Sequence, residues 1–407
     1  MKKIVITGMG AVTPVGIGVE EYWKNIVAGK SGIDRIMSFD PSELAVQFAG
    51  EIKNFTPTDY LKKDLVRKTD PFMQYAYIAA EEALKQSGVE IEPERTGIVM
   101  GTAMAGIATT AFTQDALSGA SHKKVGPRFI PKILGNIAAA NIAIDYNIQG
   151  PSFTVSTACS SGGDAIYIAT TFMQAGKADV MLAVGAESVL CPLVIYSLAN
   201  AKALSRRNDD PVTASRPFDI SRDGFVIGEG GGALVLETEE HAKARGAKIY
   251  AEIVGCGNTC DAHHVTAPHP EGRGAKACID QAIREAGIKP SDIGYINAHG
   301  TATHKGDVVE AAAIKEIFGD ALPYVSSTKG ATGHMMGAGG ITEVITCVKA
   351  IETGIVPPTI NLNEPDPECA GIDFVANTAK RDDIRYAMSN AFGFGGQNSS
   401  ILLGKYL

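Results

Sequence analysis

The chain has 407 residues, is 45% hydrophobic and 20% charged, and carries a formal net charge of −8. That is an ordinary globular composition with length for two packed cores, and its acidic balance argues against nucleic acid as the main partner. No apolar run is long enough to cross a membrane, and seven cysteines, an odd number in a large chain, suggest no disulfide framework, so a reducing cytosol is expected.

Met1-Lys2-Lys3-Ile4-Val5-Ile6 is too short for a signal peptide and reads as a first strand. Gly8-Met9-Gly10 and the three glycines 230 to 232 suggest nucleotide loops, but neither the full Gly-x-Gly-x-x-Gly fingerprint nor a phosphate-loop Gly-Lys-Ser/Thr is present there. Local basic clusters follow: Lys62, Lys63, Arg67 and Lys68; Lys123 and Lys124; Lys202, Arg206 and Arg207. A solvated face is the ordinary reading of each.

An extended segment, Ser152 to Val155, leads into Ser156-Thr157-Ala158-Cys159-Ser160-Ser161-Gly162-Gly163. Ala165, Ile168, Ala169 and Phe172 then recur at helical spacing, with Gly176 as a stop. A thiol at a helix N-terminus meets unpaired N–H groups and the positive end of the dipole, and both favour the nucleophilic thiolate. A free cysteine is as readily a small buried core residue. The local context leaves the two readings equally open.

Short apolar strands are expected from Arg95 to Gly101, Ala178 to Gly185, Gly232 to Glu237 and Lys248 to Gly255. Between Tyr386 and Leu403, the segment Phe392-Gly393-Phe394-Gly395-Gly396 reads as a glycine-rich connection inside a strand pair. Two stretches of the chain overlie one another. Ala83-Leu84, Gly88, Pro93 and Gly101-Thr102 match Ala282-Ile283, Gly287, Pro290 and Gly300-Thr301, with only the proline out of step. Ser156-Thr157 before Cys159 likewise matches Ser327-Thr328 before Lys329 and Gly330, where a second helix is expected with Ile341, Val344, Ile345 and Val348 on one face. The expected architecture is α/β: two related halves meeting near residue 250, with sheets covered by helices.

Asn297-Ala298-His299-Gly300-Thr301 ends one strand of the second half, and Ser326 to Lys329 ends another, followed by Gly333-His334. Strand ends and helix starts line the site in such folds, so both histidines could face Cys159. His263, His264 and His269 with Cys256 and Cys260 match no tidy zinc spacing and read as loop and core.

Four ordered motifs now stand together: Thr157-Ala158-Cys159-Ser160-Ser161; Asn297 to Thr301; Lys329 with Gly333-His334; and Asn390-Ala391-Phe392-Gly393-Phe394-Gly395-Gly396. With Arg216-Pro217-Phe218-Asp219 and Arg222-Asp223-Gly224-Phe225, they make the chain resemble, over essentially its whole length, the thiolase-like condensing enzymes. Among these it resembles the type II β-ketoacyl-[acyl-carrier-protein] synthases.

The resemblance implies a duplicated thiolase-like fold of two βαβαβαββ halves, residues 1–250 and 251–407, with helices between and around mixed sheets, usually a cytoplasmic homodimer. It implies that Cys159 takes the growing acyl chain from an acyl carrier protein, while His299 and His334 hold the malonyl thioester carbonyl and promote loss of carbon dioxide. Lys329 and Glu310 would support the histidine geometry, and Phe225 would support the site. The N–H groups of Cys159 and Phe394 would form the oxyanion hole, with Phe394 also the gate that responds to acylation. Met104 and Leu198 would line the acyl pocket, and Lys62, Lys63, Arg67, Lys68, Lys123, Lys124, Lys202 and Arg206 would dock the carrier. No cofactor is implied, because the substrates ride on the carrier's phosphopantetheine; some members hold a monovalent cation near positions like Glu343.

The relatives differ at definable positions. Thiolase has a second reactive cysteine in the C-terminal glycine-rich segment, and Phe392 to Gly396 contains none. The chain-initiating synthase carries asparagine where His334 stands, and the inactive chain-length partner lacks the nucleophile. An active, elongating synthase is therefore expected. His304-Lys305 in place of small residues, Gln397 in place of threonine, and the identities of Leu198 and Met104 leave the acyl substrate open. The alternatives are a synthase of a type II polyketide or aryl-polyene pathway, paired with a paralogue, and a non-catalytic scaffold subunit.

Overall fold

The computed structural model describes residues 2–118 and 125–407. In the first half the main elements are β1 (Ile4–Thr13), α1 (Pro71–Ser87), β2 (Thr96–Gly101), α2 (Asn136–Tyr146), β3 (Ser152–Val155), α3 (Ser161–Gln174), β4 (Val180–Glu187) and β5 (Gly230–Thr238). In the second they are β6 (Ala251–Cys260), α4 (Arg273–Ala286), β7 (Ile293–Asn297), α5 (His304–Phe318), β8 (Tyr324–Ser326), α6 (Gly339–Thr353), β9 (Tyr386–Gly393) and β10 (Gln397–Gly404). Each half thus reads βαβαβαββ.

The long strands form one path, β8-β7-β9-β10-β6-β1-β5-β4-β2-β3. Numbered within its own half, each group of five has the order 3-2-4-5-1. The pairing sense repeats as well: β2 is parallel to β3 and β4, as β7 is to β8 and β9, and the last two strands of each half are antiparallel. β1 and β6 join the halves antiparallel, with Ile4 opposite Ile253. Such a repeat of order and sense is what an internal duplication produces.

Burial follows from the layering. β1, β4 and β5 are buried along their whole length, as expected of strands covered on both faces. α1 packs on β1, β4 and β5 from outside, and α4 packs on β6 and β10. α3 and α6 lie between the halves, touching strands of both and each other. α6 is accordingly buried from Gly339 to Ile351, and the polar side chains it carries, such as Glu343 and Lys349, are paired.

The two central helices meet at their N-termini. A Cβ on Gly162 would stand 2.8 Å from the Gly337 carbonyl, and one on Gly340 would stand 2.5 Å from the Gly163 nitrogen. Glycine is required there for close approach. One expected element differs. The helix after Ser327-Thr328 is a single turn, Lys329–Thr332, and a 3₁₀ turn, Met336–Ala338, precedes α6. Gly333, with φ of 70°, breaks the helix and turns the chain so that His334 points inward.

Candidate active site

Cys159 sits in a 3₁₀ turn, Ala158–Ser160, directly before α3, with Ala158 in the left-handed region at φ of 51°. His334 lies just before the matching turn ahead of α6, and the two turns pack together. The fold thereby brings residues 175 positions apart to a contact of 3.0 Å between Cys159 Sγ and His334 Nε2. His299, two residues past the end of β7, completes the group. The Cys159 sulfur and one nitrogen of each histidine lie within 4.8 Å of one another, and the imidazoles stand edge to face at 5.3 Å.

Each side chain is held by its own scaffold. Glu310 on α5 does not touch the His299 ring; its two oxygens accept the N–H groups of His299 and Gly300, each at 2.8 Å. The His334 N–H donates to Val226 O at 2.7 Å, and the Phe225 ring stands edge-on to the imidazole at 5.5 Å. Asp164 on α3 accepts from Ser160 and Thr157 of the nucleophile turn and from Asn258 on β6, which ties that turn to the second half. Asp164 and Asn258 stand in no recognisable motif; only Asp164, one helical turn after Ser160, carried a local signal.

The electrostatics differ from the thiolate expectation. Burial pushes the Cys159 thiol up to about 11, although the Phe394 N–H and then Lys329 pull the other way. Burial outweighs the helix terminus, so the resting group is a thiol. Burial, with Lys329 next, holds both imidazoles well below the usual histidine range, so both are neutral near pH 7. Neither His299 Nδ1 nor His334 Nδ1 has a hydrogen-bond partner among the described residues. A neutral imidazole has one N–H and one bare nitrogen, so each ring can take a proton at one nitrogen and donate from the other.

Lys329 is buried and paired with Glu343 on α6. It acts on the histidines through its charge. Among the described residues, the second Glu343 oxygen is buried without a partner, as are both polar atoms of the Asn297 side chain. The orphaned Glu343 oxygen is a hard donor of the kind a monovalent cation takes.

The Phe392 to Gly396 segment passes over Cys159. A Cβ on Gly393 would stand 2.7 Å from Thr157 O and 3.2 Å from the Cys159 nitrogen. Gly393 is thus needed for close approach, while Gly395 and Gly396 supply the left-handed turn at φ of 87° and 72°. That turn aims the Phe394 N–H at Cys159. The Phe394 ring is 41% exposed and is not part of the core.

Leu198 packs on the apolar cluster that contains Cys159, Ile195 and Phe225; Met104 is outside that cluster, with its side chain on the surface. Lys62, Lys63, Arg67 and Lys68 are exposed around a short helix, Lys63–Lys68, where Arg67 and Lys68 lean on Asp64. Arg67 also lines a cavity of about 490 Å³ with Arg128 and Lys132, two cations the clusters above did not include. Lys202 and Arg206 are exposed, and Lys123 and Lys124 lie outside the described residues. Among the described residues, Cys256, Cys260, His263, His264 and His269 form no ligand set.

The profile of the β-ketoacyl synthase N-terminal domain matches residues 1–242, and that of the C-terminal domain matches residues 250–363. The chain is 44% identical over 408 residues to 3-oxoacyl-[acyl-carrier-protein] synthase 2 of Vibrio cholerae, covering 98% of each. Among solved structures, the ishigamide ketosynthase/chain length factor matches at a TM-score of 0.94 and 34% identity, with all of both chains covered. A type II polyketide ketosynthase in complex with its acyl-carrier protein matches at 0.90 and 33%, again over all of both chains. Kinship along the entire chain assigns it to the β-ketoacyl synthase family.

Proposed function

We propose that the chain extends an acyl group by decarboxylative condensation with malonyl-acyl carrier protein in fatty-acid elongation. One observation carries this reading: a buried thiol 3.0 Å from one neutral imidazole, with a second imidazole edge-on to it. Cys159 Sγ attacks the acyl thioester while its proton passes to His334 Nε2. The new S–C bond forms, the carrier's pantetheine thiolate leaves, and the imidazolium returns the proton to it. The N–H groups of Cys159 and Phe394 would hold the oxyanion.

Malonyl thioester then enters. Its C–CO₂⁻ bond breaks, carbon dioxide leaves, and the electron pair becomes an enolate whose oxygen faces N–H groups of His299 and His334. The enolate carbon attacks the acyl carbonyl, and Cys159 leaves as thiolate, which takes a proton from solvent to restore the resting thiol. One lost donor of this kind commonly costs about 3–4 kcal/mol in the transition state. Every step uses side chains and backbone alone, consistent with an enzyme that needs no cofactor.

The greater identity to a fatty-acid type synthase than to polyketide ketosynthases favours elongation. The fold match to the ishigamide ketosynthase keeps a polyene or polyketide pathway as the second reading. An acyl carrier protein is the partner that the basic face supports. Arg67, Arg128 and Lys132 around one cavity add to Lys62, Lys63 and Lys68 in an otherwise acidic chain. A dimer is supported by β3, whose outer edge is unpaired among the described residues and which carries Phe153 at 48% exposure, with Ile144 of α2 nearby at 75%. The test is transfer of a labelled acyl group from carrier protein to Cys159, followed by release as β-ketoacyl product on adding malonyl-carrier protein. Acylation without condensation, or neither, would overturn the reading.

A further inference from the structure

Glu187 ends β4 and is fully buried. Its carboxylate accepts four hydrogen bonds, two at each oxygen. Oε1 takes the Met104 N–H at 3.1 Å and the Thr102 hydroxyl at 3.1 Å; Oε2 takes the Ala103 N–H at 2.6 Å and the Gly337 N–H at 3.2 Å. Three donors come from the loop after β2. The fourth comes from the 3₁₀ turn that follows His334.

That loop and that turn belong to different halves and both border Cys159. Ala103 and Ile107 pack on the apolar cluster holding Cys159, and Met336 is inside it. The Ser156 hydroxyl donates to Ala103 O at 3.2 Å, which links the loop to the nucleophile segment. The contact is tight: a Cβ on Gly337 would stand 2.8 Å from the Ala103 nitrogen and 2.9 Å from Glu187 Oε2. A buried carboxylate without partners is costly, so its satisfaction by three backbone N–H groups and the Thr102 hydroxyl fixes those groups in place.

We propose that Glu187 is a positioning residue that clamps loop 102–104, whose Ala103 packs on the apolar cluster around Cys159, to the turn behind His334, so that the wall beside the acylated sulfur and the decarboxylation site are set by one carboxylate. This rests on the condensing role proposed above. Burial pushes the Glu187 carboxyl up to about 7, and the four donors that converge on it pull the other way and favour the carboxylate; the clamp needs the four acceptor positions which that form provides. A glutamine side chain is isosteric but has one acceptor oxygen. In the Glu187→Gln variant that oxygen settles at the Oε2 position, where two N–H groups converge and the shortest contact lies. The NH₂ group then faces the Thr102 hydroxyl, which can rotate to accept, and the Met104 N–H, which cannot.

Glu187→Gln is therefore expected to loosen Met104 while keeping Gly337. Amide hydrogen exchange at Met104 should rise roughly tenfold or more, and that at Gly337 should stay within about twofold. Acyl transfer from a long-chain acyl-carrier protein should fall roughly tenfold, and malonyl decarboxylation by less than about twofold, since a misplaced pocket costs this much in rate. Glu187→Ala should loosen both amides and slow both reactions. If Glu187→Gln fails to fold, Thr102→Val removes one partner from Oε1 with the carboxylate intact; exchange should rise at residues 104 and 105 and not at 337. Equal losses in both half-reactions, or no change at either amide, would overturn the clamp. If the wild-type chain neither accepts acyl groups nor decarboxylates, it is the condensing role that fails; the exchange pattern still judges the clamp.

Discussion

Gly393→Ala tests the oxyanion hole without touching a side chain of the site. Ordinary contact begins near 3.4 Å, and the new Cβ would stand 2.7 Å from Thr157 O, so the loop must retreat by roughly 0.7 Å. Gly393 lies outside the left-handed region, so the substitution adds steric displacement and no backbone strain. The retreat carries the next residue's N–H, that of Phe394, away from Cys159. Productive geometry tolerates about 0.5 Å, and a lost oxyanion donor costs roughly 10²–10³-fold. We expect about a 10²-fold slower acylation, near 2.7 kcal/mol. Single-turnover transfer of a labelled acyl group measures it directly. Malonyl decarboxylation should fall less and serves as the comparison, because Glu310 and Val226 hold the backbone of the two histidines, and this segment reaches them only through the Phe392 ring, 5.9 Å from that of His299. Acylation within threefold of wild type, in a protein that melts normally, would refute the placement of the Phe394 amide.

Four further outcomes are expected. Cys159→Ala should form no acyl adduct yet still decarboxylate malonyl-carrier protein, whereas His334→Ala removes the proton acceptor for Cys159 and one enolate donor, so it should slow acyl transfer and lose condensation by roughly 10²–10³-fold. A raised thiol pKa leaves less thiolate at neutral pH, so alkylation of Cys159 should rise about tenfold per pH unit toward about 11, read by mass spectrometry against exposed Cys260; a plateau below pH 8 would contradict the resting thiol. Lys63→Glu with Arg67→Glu should raise KM for carrier-bound substrate several-fold, less so at high salt, and spare a pantetheine-thioester mimic. Phe394→Ala should lower turnover and loosen substrate order if the exposed ring is a gate; identical loop conformations with and without an acyl group on Cys159 would leave only the oxyanion role.

The parts of the site that sequence reveals are those whose chemistry demands a residue type beside a break in the chain. Cys159 before a helix and His299 and His334 at glycine-flanked strand ends are of this kind, and the repeated Gly88 and Gly287 stops pointed to the duplication. Long-range partners leave no such mark. Glu343 pairs with Lys329 from one face of a helix that otherwise reads as apolar core, and Asp164 reaches Asn258 across 94 positions. Arg128 and Lys132 escaped notice because they flank Phe129 to Pro131 instead of forming a run; only the fold brings them beside Arg67. The thiol's protonation state was beyond local reasoning, because burial depends on what the other half places above Cys159.

The meeting of the two central helices at their N-termini has a practical consequence. It makes one site from a sulfur carried by the first half and two imidazoles carried by the second. Neither half holds a complete set. If the chain were cut in the loop before β6, each fragment would be inert, and activity would reappear with kinetics second order in protein as the fragments reassociate. In the intact chain the same step is intramolecular, so enzymatic competence becomes a reporter of docking between halves and not of folding within either one.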